Sequence, residues 1–121
     1  MRPVIPVVVS NGKKSVKYEV LIDSGADRCL FDLEVSEAIG INRGNSDIRE
    51  VFGVTGQTAL YYSHKVTIRV GDISFPIEAG FTKSVSGGLV PYGYVGQFGF
   101  FERFIVKFDK LKNEVELKSR T

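Results

Sequence analysis

A chain of 121 residues has the length of one ordinary domain, and its 43% hydrophobic and 25% charged content excludes a mainly disordered polymer. Sixteen basic against 14 acidic residues leave a net charge of +2 with no basic run longer than Lys13-Lys14, so the concentrated charge of a nucleic-acid binder is absent. One cysteine, Cys29, and one histidine, His64, exclude an internal disulfide and a thiolate zinc site and argue against metal chemistry and Ser-His-Asp catalysis.

Val and Ile together number 25, against 11 for Ala plus Leu, a balance that favours strands because branching at Cβ restricts helical rotamers. Thirteen glycines and four prolines supply frequent turns, and the expected class is mostly β. Val4 to Val9 reads as a strand, placed at a sheet margin because Pro6 cannot donate to a ladder. Asn11-Gly12 turns the chain into a second strand, in which Val16, Tyr18, Val20 and Ile22 share one face. That strand runs directly into Asp23-Ser24-Gly25-Ala26. Leu33 to Ile39 fits about two helical turns, with Asp32 as N-cap and Gly40 as the stop.

After a polar loop over Asn42 to Asp47, Ile48 to Phe52 and Thr58 to Tyr62 form two strand arms around Gly53-Val54-Thr55-Gly56. Lys65 to Val70 alternates, Gly71-Asp72 turns the chain, and Ile73, Phe75 and Ile77 alternate again. Lys83 to Gly93 is irregular but carries Leu89, Val90 and Tyr92, which suits the wall of a cleft better than a linker. A short helix is expected through Gly99 to Arg103, with Phe98, Phe100, Phe101 and Phe104 packing in the core and Glu102-Arg103 as a solvated pair. A final hairpin joins Ile105 to Asp109 with Glu114 to Leu117. No domain boundary is visible, so residues 1 to 121 are expected to form a single domain. No stretch approaches the roughly 20 apolar residues of a membrane span. Met1-Arg2-Pro3 leads into a strand and not a secretory signal, so no membrane partner and a cytoplasmic location are expected.

An aspartate at the end of an apolar strand is costly as core. Asp23 makes sense there if backbone N–H groups and the Ser24 hydroxyl receive its carboxylate, with Gly25 allowing close approach. Asp-Ser-Gly also ends strands as a plain Asx-type turn, and the tetrapeptide alone does not separate the two readings. His64, on an alternating strand, reads as a surface or structural residue, and Cys29 as a small buried hydrophobe.

The longer string Leu21-Ile22-Asp23-Ser24-Gly25-Ala26-Asp27 resembles the active-site strand and loop of retropepsins, single-lobe aspartic proteases. Gly53-Val54-Thr55-Gly56 resembles the tip of the family's flap, and Pro91-Tyr92-Gly93-Tyr94-Val95-Gly96-Gln97 resembles its second signature. Gly96 to Phe101 and the terminal hairpin look closer to the cellular and bacterial branch than to the viral one. The resemblance covers nearly the whole chain, in order.

It implies a closed β-barrel with a flap hairpin and one or two short helices, acting as an aspartic endopeptidase without cofactor or metal. Aspartic proteolysis requires two carboxylates sharing a proton, and this chain has one Asp-Ser-Gly, so a homodimer is implied. By the same resemblance Asp23 is catalytic, Ser24 and Gly25 support the loop, and Ala26 and Asp27 line the strip that holds an extended peptide. Gly53, Val54, Thr55 and Gly56 would cover the peptide, and Tyr92 and Tyr94 would wall its side-chain pockets. Where viral members carry an arginine after the second-signature glycine, this chain has Gln97, so the ion pair to the Asp27 position is missing or falls to another partner such as Arg28. The alternative is a non-catalytic barrel of the same fold, used for dimerisation or for holding an extended peptide.

Overall fold

A computed structural model of the protein describes residues 3–41, 47–52, 58–82 and 93–120. In chain order the elements are β1 (Val4–Asn11), β2 (Lys14–Ile22), β3 (Cys29–Asp32), α1 (Leu33–Ala38), β4 (Asp47–Phe52) and β5 (Thr58–Val70). There follow β6 (Ile73–Thr82), β7 (Gly93–Val95), β8 (Phe104–Asp109) and β9 (Glu114–Ser119).

Seven strands form one sheet in the order β1-β2-β7-β3-β6-β5-β4, and an extra β1–β5 pairing closes its first six strands into a barrel. Closure removes the open edges that would otherwise recruit another chain. The seam is short: Val8, Val9 and Ser10 pair with Arg69, Ile68 and Thr67. The margin expected for β1 therefore holds only for its first half. Pro6 faces Glu19 of β2 and lies outside the β1–β5 seam, so its missing N–H breaks no ladder there.

Period-2 alternation fills the barrel. Val7, Val9, Val20, Ile22, Val66, Ile68, Phe75, Ile77, Ala79 and Phe81 are all buried and belong to one apolar cluster. Ile73, expected on the same face, is 40% exposed at the start of β6, beyond the covered part of the sheet. Helix α1 begins as expected, with the Asp32 carboxylate accepting the Glu34 N–H at 3.0 Å. It ends where Gly40 takes a left-handed φ of 70°.

Four elements differ from expectation. Thr58–Val70 is one continuous strand that passes through His64, pairing with β4 at one end and with β6 and β1 at the other. Cys29–Asp32 and Gly93–Val95 are strands of four and three residues, too short to display alternation in sequence.

The helix expected at Gly99 to Arg103 is a wide irregular turn over Gln97–Phe101. Phe98 is extended (φ −82°, ψ 121°) and Gly99 is left-handed (φ 99°), so a regular helix cannot propagate, and the Phe101 N–H reaches back five residues to the Gly96 carbonyl at 3.2 Å. Phe100 and Phe104 are buried beneath the turn, their ring centroids 5.1 Å apart, and Phe75 lies 5.6 Å from Phe104.

Candidate active site

The topology sets two loops against one another. β2 and β3 are consecutive in sequence, but β7 lies between them in the sheet, parallel to β2 and antiparallel to β3. The connection from β2 to β3, residues 23–28, must therefore cross the end of β7. The chain leaving β7 passes against that connection, and this crossing holds the candidate site.

Asp23 follows the last residue of β2, whose neighbour in β7 is Val95. The Asp23 N–H donates to the Val95 carbonyl at 3.0 Å, extending the parallel ladder by one bond and fixing the backbone that carries the carboxylate. Its Oδ1 accepts the Gly25 N–H at 2.9 Å, and its carbonyl accepts the Ala26 N–H at 3.1 Å. The Gly25 contact is that of an Asx-type turn, and it gives the Asp23 carboxylate one backbone donor. Asp23 is half-buried, while Ser24 and Gly25 are exposed. A carboxylate held this way, with a solvent-facing side, can accept or deliver a proton at a fixed position.

The facing segment locks the loop from behind. The Gln97 and Phe98 N–H groups donate to the Ala26 and Asp27 carbonyls at 2.9 and 2.8 Å. Gly96 makes this approach possible, because a Cβ there would fall 2.3 Å from the Ala26 carbonyl oxygen. The Gln97 side chain adds a third bond, its Nε2 donating to the Ser24 carbonyl at 2.7 Å. Gln97 therefore braces the loop through neutral hydrogen bonds to carbonyls, where the viral pattern would place an ion pair to a carboxylate. Arg28, the substitute partner considered for that pair, lies over the Phe98 ring at 5.9 Å.

Of the site residues expected from sequence, Asp23, Ser24, Gly25, Ala26 and Asp27 lie together in this loop. Tyr94 sits beside it in β7, in register with Leu21 and Leu30. Gly53, Val54, Thr55, Gly56 and Tyr92 lie outside the described residues; the arms expected to carry the first four are the paired strands β4 and β5. Sequence reasoning missed Gly96 as a steric requirement and the bracing role of Gln97. The signal for Gly96 was the resemblance of Pro91 to Gln97 to a second signature, but only the crossing of the chains shows what the glycine is for.

Several neighbours differ from expectation. Phe98 is 58% exposed and not core, since its extended backbone turns it outward to Arg28. Glu102 and Arg103 find separate partners, Glu102 accepting the Gly99 N–H at 2.8 Å and Arg103 lying over the Phe75 ring at 5.3 Å. Cys29 is buried as expected, its Sγ 3.6 Å from the Phe98 carbonyl, and desolvation pushes its thiol up to about 11. His64 lies in β5 with Nδ1 2.9 Å from the Lys65 carbonyl. Among the described residues, no three His, Cys, Asp or Glu side chains gather where they could hold a metal ion, and no helix is long and apolar enough to cross a membrane.

Comparison with known proteins agrees with this layout. No curated protein matches the chain. Among solved structures, the EIAV protease complexed with the inhibitor HBY-793 superposes with a TM-score of 0.61 at 21% identity, over 79% of this chain and 82% of that one. That likeness establishes the fold, a barrel of the retroviral-protease type. A family model described as aspartyl protease matches residues 5–97, a span that includes the Asp23 loop, both hairpin arms and the Gly96-Gln97 brace. The chain belongs to the aspartyl protease family.

Proposed function

We propose that residues 1–121 act as one domain, and that the protein is a homodimeric aspartic endopeptidase in which Asp23 of each copy meets its counterpart across a two-fold axis. The observation that carries this reading is the Asp23 carboxylate itself: one acid, oriented by the Gly25 N–H and by the ladder bond to Val95, on a loop that the opposite segment pins at three points. One such carboxylate supplies half of the acid–base chemistry, and two held about 3 Å apart share one proton because both do not ionise together.

In the reaction, the ionised member takes a proton from a water molecule as that water attacks the scissile carbonyl carbon. The protonated member gives its proton to the carbonyl oxygen. The resulting gem-diol collapses as one hydroxyl returns its proton to a carboxylate and the amide nitrogen receives a proton, breaking the C–N bond. No covalent enzyme intermediate, metal or organic cofactor takes part. The Gly25 carbonyl, with Ala26 and Asp27, receives an extended peptide by strand-like hydrogen bonding, while Tyr92 and Tyr94 wall its pockets. The tip residues Gly53, Val54, Thr55 and Gly56 close over it and exclude water.

Unstructured peptides are the test substrate. Wild type is expected to cleave members of a peptide library with a bell-shaped pH dependence, highest where the pair holds a single proton. Asp23→Asn is expected to abolish cleavage while leaving the far-UV circular dichroism unchanged. Peptide binding that persists in Asp23→Asn, with no cleavage by wild type at any pH, would make the barrel a peptide-holding module instead.

A further inference from the structure

A second concave surface lies apart from the Asp23 carboxylate. It is a cleft of about 370 Å³ between β6 and the wide turn after β7, and none of residues 23–27 lines it. Ile77 and Gly99 meet at its base, so closely that a Cβ on Gly99 would lie 3.2 Å from Ile77 Cγ2. Pro76 and the exposed Phe98 ring add apolar wall.

Four charged side chains complete the lining, two of each sign: Arg28 and Arg103, Glu78 and Glu102. Among the described residues none of the four has an ion-pair partner. Each guanidinium lies over a ring instead, Arg28 at 5.9 Å from the centre of Phe98 and Arg103 at 5.3 Å from that of Phe75. A ring occupies one face of a guanidinium and leaves its N–H edges free. Each carboxylate has one oxygen engaged, Glu102 Oε1 by the Gly99 N–H at 2.8 Å and Glu78 Oε1 by the Ser63 hydroxyl. The second oxygen of each has no hydrogen-bond partner among the described residues. Both signs are therefore presented to whatever enters.

We infer that this cleft binds a short peptide with both ends free and an apolar side chain. The charges select that class. A simple anion is attracted by two arginines and repelled by two glutamates, a simple cation meets the reverse, and a zwitterion is attracted by both pairs. Its α-carboxylate takes the N–H edge of a guanidinium, whose fork matches two oxygens. Its α-ammonium donates to a free glutamate oxygen, and its side chain lies against Phe98 and Pro76. The volume, near the lower end of the roughly 300–1,000 Å³ of small-ligand sites, suits a molecule of two or three residues. Cleavage of unstructured chains releases molecules of this class; that link, unlike the site itself, rests on the protease reading.

Isothermal titration calorimetry with the dipeptide alanyl-phenylalanine tests the site. Wild type and Asp23→Asn are expected to bind it equally. Acetylating its amino end or amidating its carboxyl end removes one charge, and each is expected to weaken binding by about tenfold or more. From the protein side, Arg28→Gln combined with Arg103→Gln, and Glu78→Gln combined with Glu102→Gln, are each expected to do the same. Glutamine keeps an oxygen for the Gly99 N–H and the Ser63 hydroxyl, so the second pair changes charge without disturbing the turn. Arg28→Lys combined with Arg103→Lys keeps the charge and should retain more affinity than the glutamine pair.

A free dipeptide that does not bind, capped forms that bind as well as the free one, or glutamate-to-glutamine substitutions without effect would each overturn the site. Acetate binding as tightly as the dipeptide would make it an anion site and overturn the zwitterion. Dipeptide binding as described, in a protein that cleaves nothing, would leave the site standing and remove the protease reading. Cleavage of longer peptides by a protein that ignores the dipeptide would do the reverse.

Discussion

Cys29 begins β3 immediately behind the Asp23 loop and is fully shielded, with Gly99 packed close to it and its thiol directed at the Phe98 carbonyl. Removing a thiolate from water is unfavourable, so burial raises the thiol from 9.0 to about 11, and a backbone hydrogen bond at Gly96 only partly offsets this. At neutral pH the group is a protonated, inert piece of packing. A thiol-specific reagent should therefore react with the native protein far more slowly than with the chain in denaturant; equal rates would contradict the burial. Tyr18 behaves similarly: its hydroxyl oxygen accepts the Asp32 N–H at 3.1 Å, and burial pushes it from 10.0 to about 12. The sign is the same for both. In the unfolded chain these groups ionise first, so the stability they contribute is complete below pH 9 and is lost as pH rises toward 11 for Cys29 and 12 for Tyr18. Denaturant melts across that range should show the decline, and Tyr18→Phe should flatten its upper part.

At the scale of elements, the site is a lock between two connections, and Gly96 is where they touch. A methyl group at residue 96 would collide with the Ala26 carbonyl at 2.3 Å and with the Arg28 carbonyl at 2.9 Å. Backbone, unlike a side-chain tip, cannot swing away. Gly96→Ala should therefore cost about 1–3 kcal/mol of stability, as overpacking generally does, and should also move the loop that carries Asp23. Denaturant melts measure the first effect. Peptide cleavage measures the second, and activity at the wild-type level in a folded Gly96→Ala protein would show that the lock does not position Asp23. This lock is only half legible in the sequence. Asp23-Ser24-Gly25 announces a special turn by its chemistry, and the Asp32 cap and the hairpin arms announce themselves by turn residues and alternation. β3 and β7 are not legible, because three or four residues carry no period, and their positions come from non-local pairing with β6 and β2. The phenylalanine-rich stretch after Gly96 resembles a helix by composition, but one left-handed glycine and one extended phenylalanine make it a turn and expel Phe98. His64 interrupts the apolar pattern of β5 without interrupting the strand, since its backbone pairs with Ala79 as well as any other residue would.

At the scale of the whole molecule, the six-stranded barrel is a closed object that satisfies its own edges, whereas the proposed Asp23 chemistry calls for a second copy. A mechanism that needs one acid from each of two chains makes activity depend on assembly in a way that no monomeric mechanism shares. Cleavage per mole of chain should rise with protein concentration below the dimer dissociation constant and reach a plateau above it. Mixing sharpens the test. Asp23→Asn chains that exchange freely with wild type should trap it in dimers with only one acid. At equal amounts and full exchange, about half of the wild-type activity should remain, and at about ninefold excess of the variant only about a tenth, because partners are then drawn at random. A monomeric hydrolase would ignore the added variant. Activity that stays constant per mole of wild-type chain under both dilution and mixing would show that one Asp23 suffices, and the shared-proton mechanism would fall with it.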